Sequence, residues 1–202
     1  EYFITVHHEM TKQHFISFLA HVTTDRIQLV KLYPEGNAQT RLQLQITAVN
    51  AQNCKVKVEL LNADGKLVLV SKPFAPSGKA AMTFQKARPW TLDDPYRYTC
   101  RVTLLGSEGG IMDVWEQKFG FRTAEFTANK FLLNGEEVFL RGLNRHQCYP
   151  YIGYAAPESL QRQDARILKE ELSCVAVRTS HYPQSRHFVD ECDRLGLLVF
   201  LE

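Results

Sequence analysis

Two segments carry residue types that do chemistry: Leu140-Arg-Gly-Leu-Asn-Arg-His146 and Val177-Arg-Thr-Ser-His-Tyr-Pro183. In each, a short apolar run turns abruptly into polar, hydrogen-bonding residues. Val138-Phe-Leu140 leads into Arg141, Asn144, Arg145 and His146, and Val175-Ala-Val177 leads into Arg178, Ser180, His181 and Tyr182. One histidine alone reads more readily as structural. Two histidines at the same end of adjacent parallel strands, about 5 Å apart, read as a functional pair. Arg178, three residues before His181, has a planar fork suited to clamping a carboxylate or holding an acidic catalytic group. Glu202 closes a third apolar run, Leu195 to Leu201, and three roles stay open for it. It could be a catalytic acid, a metal ligand or the hydrogen-bond partner of Arg178. A zinc site of His146, His181 and Glu202 is the competing chemistry, although no His-x-His pair supports it.

These residues need a scaffold. Between the first two apolar runs lies a helical pattern, Pro157 to Leu172, and between the second and third another, about Ser185 to Leu195. The result is β-α-β-α-β with strands too apolar to be exposed on either face, the mark of a parallel sheet covered by helices. In parallel α/β barrels the reacting groups sit at the C-terminal strand ends, so the three polar strand ends read as an active-site rim. Pro157 suits a first helical position, where its missing N–H costs nothing. Leu160, Ile167, Leu168 and Leu172 form the apolar stripe, with Arg162, Arg166, Lys169 and Glu170 on the surface.

Upstream, from about Phe15 to Arg122, the chain reads all-β. Arg41 to Val49 and Lys55 to Leu60 alternate polar and apolar, and Asn62-Ala-Asp-Gly65 turns the second of these back into Lys66 to Val70. Ala80 to Phe84, Tyr96 to Leu105 and Met112 to Phe119 add three more strands, the last two linked by Gly106 to Gly110. Some seven strands in about a hundred residues suggest an immunoglobulin-like β-sandwich. Phe131 to Phe139 reads as a hairpin around Asn134-Gly135. The expected domains are residues 1–11 as the last strand of an upstream domain, 12–123 as the sandwich and 124–202 as the first β/α units of a (β/α)8 TIM barrel. His7, His8, His14 and His21 lack ligand spacing and read as structural or exposed. Trp90 and Trp115 read as core packing.

Bulk properties exclude several classes. The 202 residues are 45% hydrophobic and 23% charged, with a net charge of +2. That balance offers no basic patch for nucleic acid, and no apolar run nears the roughly 18 residues of a membrane span. The five cysteines, Cys54, Cys100, Cys148, Cys174 and Cys192, match neither a zinc motif nor a disulfide framework and read as buried free thiols. The chain begins within an apolar alternation and stops after a buried strand, so it reads as a piece of a longer protein.

The ordered string Phe119-Gly-Phe-Arg122, Phe131-x-Leu-Asn-Gly135, Leu140 to His146, Pro150-x-x-Gly153, Asp164 with Lys169, Val177 to Pro183 and Cys192-Asp-Arg-Leu-Gly-Leu-Leu-Val199 resembles glycoside hydrolase family 2. Asn144-Arg-His146 is most similar to its β-galactosidase branch, since β-glucuronidases tend to carry Asn-Lys-His. Pro89-Trp90 with Asp94-Pro-Tyr-Arg-Tyr98, and His14 to Phe18, resemble the family's sandwich. The resemblance implies a sugar-binding jelly roll ending near residue 11, the sandwich and the start of the barrel. It implies that His146 and His181 contact a galactosyl ring and its transition state, that Arg178 orients the nucleophile carboxylate, and that Asn144 supports the rim. Retaining glycosidases use two carboxylates about 5 Å apart. The resemblance places both beyond Glu202, so this segment alone would be inactive, with no catalytic residue and no metal ligand of its own. It further implies a β-galactoside or related oligosaccharide as substrate, a divalent cation such as magnesium in the whole enzyme, and a homo-oligomer. A cytoplasmic or periplasmic location is expected, with no nucleic-acid or membrane partner. Gln147 stands where the family commonly has Glu, Val175 where it usually has Asn, and Arg97 where it has Leu.

Overall fold

The computed structural model describes residues 18–21, 27–35, 39–85 and 87–202. The expected strand Tyr2 to Val6, with the jelly-roll reading of residues 1–11, lies outside them, as do His7, His8 and His14. Two compact units divide the chain. The first comprises Glu1–Pro89, Arg97–Glu125 and Leu133–Gly135, and the second Trp90–Tyr96, Phe126–Leu132 and Glu136–Glu202.

The first unit is built from Phe18–His21 (β1), Ile27–Glu35 (β2), Gln39–Ala48 (β3), Lys55–Leu61 (β4), Leu67–Val70 (β5), Gly78–Gln85 (β6), Tyr98–Leu105 (β7) and Ile111–Phe119 (β8). They form two antiparallel four-stranded sheets, ordered β1-β2-β3-β6 and β5-β4-β7-β8. The two-residue period of the sequence becomes a buried face: Leu42, Leu44 and Ile46 on β3, Val56, Val58 and Leu60 on β4, and Cys100, Val102 and Leu104 on β7 are all shut off from solvent. Each of the valine, leucine and isoleucine side chains contributes about 1.5–3 kcal/mol of burial. The β4–β5 turn is an Asx turn, with Asn62 Oδ1 accepting from Asp64 N (3.0 Å) and Lys66 N (2.8 Å) and Gly65 at φ 76°. Phe119 and Phe121 pack edge-on at 5.1 Å, and Tyr98 joins them. Trp115 is buried, as expected of a packing residue.

The chain continues through Ala124–Phe126 (β9) and the hairpin Phe131–Leu133 (β10) and Glu136–Glu137 (β11), which turns at Asn134 and Gly135, both at positive φ. The second unit then holds Gly142–Asn144 (β12), helix Glu158–Arg166 (α1) with a π-helical turn at Ile167–Glu171, Ala176–Arg178 (β13), helix Arg186–Leu195 (α2) and Leu198–Phe200 (β14). The three strands are parallel in the order β12-β13-β14, with Asn144, Arg178 and Phe200 in register at their C-terminal ends. Ala165, Leu168, Cys174, Val177, Phe188, Cys192 and Leu197 form the core under them.

Several expectations are corrected here. The first parallel strand is not the apolar run Val138 to Leu140 but Gly142–Asn144, which is exposed, and Phe139 is 85% exposed. Gly142 explains why the strand sits there: a Cβ on it would stand 2.0 Å from Ala176 O, so only glycine lets β12 lie this close to β13. Pro157 is the N-cap of α1 and not its first residue. Leu172 is exposed, and the buried face of α1 is Gln161 and Ala165. Of the five cysteines, Cys148 is exposed. Arg166 is exposed and Arg162 and Lys169 are half-buried, and each is also held by a specific partner.

Lys169 Nζ donates to Leu92 O (3.0 Å) and Gly196 O (2.9 Å), and its burial lowers its pKa. Trp90 is buried and its Nε1 donates to Asp193 O (2.8 Å), so Trp90–Tyr96 groups with α2 despite its place among the sandwich strands. Arg162 (3.2 Å) and Arg166 (2.8 Å) of α1 and Arg194 (2.7 and 2.9 Å) of α2 converge on Glu191, which is 1% exposed. Arg194 first, and then Arg166, hold the Glu191 carboxyl at about 2 against the opposing effect of burial. A carboxyl with a depressed folded-state pKa stabilises the fold above its unfolded value and loses that contribution as pH falls towards its folded one. Glu191→Gln should therefore cost about 2–3 kcal/mol at pH 7. In urea titrations the gap from the unmodified protein should hold down to about pH 4.5 and narrow below it. A gap of constant size from pH 7 to 3 would show that the carboxylate is not what the three arginines stabilise.

Candidate active site

His146 lies two residues beyond β12 and His181 three beyond β13, so parallel register brings their side chains to one end of the sheet. Their ring centroids are 5.9 Å apart, and Tyr182 stands 5.9 Å from His146. Asn144, His146, Arg178 and His181 are all exposed at this end, as a rim requires. The Ser180–His181 peptide is cis.

Arg178 and His181 share one carboxylate. Glu202 Oε1 accepts from Arg178 Nε (2.9 Å) and from Nη2, and its Oε2 meets His181 Nδ1 at 2.8 Å. Glu202 N donates to Thr179 Oγ1 (3.1 Å), which donates to Phe200 O (3.2 Å), so β14 positions the carboxylate against β13. The hydrogen bond from His181 and then that from Arg178 lower the Glu202 pKa. An ionised carboxylate only accepts, so in this contact His181 Nδ1 is the donor. Of the three roles open to Glu202, partner of Arg178 is the one observed. Among the described residues no three His, Cys, Asp or Glu side chains come together at ligand distance, so the zinc reading has no site here.

The residue that sequence reasoning left without a role is Arg145. Its neighbours in sequence are exposed, yet it is 5% exposed itself. Its Nε donates to Asp164 Oδ2 (2.9 Å), one Nη to Gln184 Oε1, and Nη2 to Gln161 Oε1 (2.7 Å) and Tyr149 Oη (3.2 Å). Its guanidinium carbon lies 3.9 Å from the Phe188 ring centre, a cation–π distance. Tyr149 Oη also donates to Asp164, and burial together with that bond raises the Tyr149 pKa. Gln147 joins the opposite side: its N donates to Tyr182 Oη (2.9 Å) and its Oε1 accepts from Ser185 N (2.8 Å) at the head of α2. A neutral amide suits that acceptor role. One signal could have found Arg145: an arginine between two rim residues, with an acid and two amides in the segments that must pack beneath it.

Residues 21–122 match the profile "Glycosyl hydrolases family 2" and residues 124–202 match "Glycosyl hydrolases family 2, TIM barrel domain". The chain belongs to glycosyl hydrolase family 2: a family sandwich followed by the start of its TIM barrel. It is 44% identical over 157 residues to the β-galactosidase of Thermoanaerobacterium thermosulfurigenes, across 74% of this chain and 22% of that protein. It is 41% identical over 170 residues to the β-galactosidase of Thermoanaerobacter pseudethanolicus, across 82% and 23%. The β-glucuronidase structure of Parabacteroides merdae superposes with a TM-score of 0.75 at 28% identity, covering 89% of this chain and 23% of that one. The chain thus spans about a fifth of the length of the curated relatives it matches.

Lysine cannot reproduce the fork that serves Asp164, Gln161, Gln184 and Tyr149 at once. Arg145→Lys should therefore lower stability by about 2–4 kcal/mol in thermal or urea unfolding, by leaving the buried Gln161 amide, the half-buried Gln184 amide and a carboxylate short of donors. A variant as stable as the parent would remove Arg145 from its position as the site's anchor.

Proposed function

We propose that this chain is part of a retaining β-galactosidase that removes terminal β-D-galactosyl groups. The observation that carries the reading is the Arg178–Glu202–His181 unit facing His146 across two parallel strand ends. A galactosyl ring offers hydroxyls, and the imidazoles of His146 and His181, the latter held at Nδ1 by Glu202, are suited to hydrogen-bond them. As the ring flattens toward an oxocarbenium ion, those bonds strengthen in the transition state. Arg178 spends Nε and Nη2 on Glu202, and Nη1 would remain to hold a second carboxylate, that of the nucleophile. Asn144 completes the rim.

The acid/base and nucleophile carboxylates would come from sequence beyond Glu202. Asp164 is taken up by Arg145, and Glu202 by Arg178 and His181, so neither is available for the bond-breaking step. Names among the relatives support the sugar: the two at 41–44% identity are β-galactosidases, and Asn144-Arg145-His146 accords with them. The second reading, β-glucuronidase, has the Parabacteroides merdae structure in its favour. A bound divalent cation, assembly into a homo-oligomer and a cytoplasmic location belong to the same proposal, extended to the whole enzyme.

The test is turnover of aryl β-galactoside, β-glucuronide and β-mannoside by a full-length protein carrying this sequence and by the chain alone. Galactoside should be cleaved by the full-length protein only. Preferred cleavage of the glucuronide would replace the substrate assignment, and cleavage by the chain alone would place a complete acid–nucleophile pair within these residues.

A further inference from the structure

The same end of the parallel sheet carries a turn whose aromatic side chains the site described so far does not use. Tyr149 and Gly153 close it through reciprocal backbone bonds of 3.0 and 2.9 Å, and Ala155 N donates to Ile152 O at 3.1 Å. Its base is anchored, since Tyr149 Oη is bound by Asp164 and Arg145. Its tip is turned out: Tyr151, at φ 70°, is fully exposed, and Ile152 and Tyr154 are exposed beside it. Ring contacts run without a break from this turn into the rim. Tyr154 meets Tyr182 at 5.6 Å, Tyr182 meets His146 at 5.9 Å, and His146 meets His181 at 5.9 Å.

Single exposed apolar side chains are ordinary on any surface, but a row of aromatics leading out of a polar rim on a braced turn marks a ligand path. The size of the patch limits what it can take. A stable protein partner needs about 800 Å² on each side, and three side chains on one turn fall well short of that. A single ring fits. Tyrosine presents an electron-rich face to C–H bonds and a hydroxyl at its edge, which matches a pyranose with its apolar face and hydroxylated rim.

We infer that Tyr151 and Tyr154 form a stacking platform for the sugar on the leaving-group side of the scissile bond, next to the ring held at His146 and His181. The inference rests on the galactosidase reading. Under it the platform selects among galactosides by what is attached to the galactose, and it leaves the galactosyl contacts unchanged.

The experiment uses the full-length protein and two substrates with the same galactosyl group: lactose, with a pyranose leaving group, and β-galactosyl fluoride, with no ring to stack. Tyr154→Ala removes one face. Tyr151→Asn removes the other with a residue that tolerates positive φ, so that a folding defect at Tyr154 cannot explain both. The ratio of kcat/KM for lactose to kcat/KM for the fluoride should fall about tenfold in the double variant, mostly through KM, as the loss of aromatic stacking would give. Tyr154→Phe, which keeps the face, should restore most of the ratio. An unchanged ratio, with both substrates still cleaved, overturns the platform and leaves the galactosidase reading standing. No turnover of either galactoside by the unmodified protein overturns both.

Discussion

The second unit depends on one buried cation. A guanidinium removed from water loses several kcal/mol of hydration, and the fold keeps it only by supplying an anion and hydrogen-bond acceptors in a fixed arrangement. For Arg145 those come from separate stretches of chain: Tyr149 from the turn after β12, Gln161 and Asp164 from α1, Gln184 from the turn before α2, and the face of Phe188 from α2 itself. Replacing such a cluster by apolar side chains is often neutral or stabilising, so net stability is a weak reason for it to exist. What it provides is geometry. Each partner must arrive at one distance and angle, and the residue after Arg145 is His146. The strand end that presents the histidine is therefore set by a hub that tolerates little slack.

Glu191 is the complement, a buried anion met by three arginines from both helices. Between them the two clusters lock α1 against α2. The sheet has its own constraint, in Gly142 against Ala176 O, and the register it permits sets Asn144 beside Arg178. Helices, strands and rim are thus placed by three separate contacts.

Much of this was legible in the sequence. The period-two strands of the sandwich, the Asn62 to Gly65 turn, the Asn134-Gly135 hairpin and the β-α-β-α-β order could all be read, because each rests on local periodicity or turn chemistry. So could the pairing of His146 with His181, because residues just past the ends of adjacent parallel strands converge, while partner of Arg178 was one of three roles open to Glu202. What escaped reading was set at a distance. An apolar run such as Val138 to Leu140 announces a strand, but contact between Gly142 and a carbonyl thirty-four residues later moves the strand past it. Arginines on a helix read as solvated unless the acid they serve is visible, and Glu191 lies in another element. Arg145 escaped for the same reason, since its partners are spread over forty residues.

The rim chemistry follows from the division of labour between carboxylates. A retaining mechanism asks one carboxyl to be a proton donor and another to be a nucleophile, which needs a raised pKa on the first and an uncommitted oxygen on the second. Glu202 has neither, since its oxygens are occupied and its pKa is lowered. What it can do is hold an imidazole at Nδ1 and fix an arginine fork through Nε and Nη2. A carboxylate spent in this way makes two neighbours directional at the cost of its own reactivity. On the galactosidase reading, that is why the positioning acid belongs to an early strand of the barrel while the reacting acids come from elsewhere. Rigid hydrogen bonding has to be in place before a flattened, charge-bearing ring can be bound more tightly than the sugar it came from.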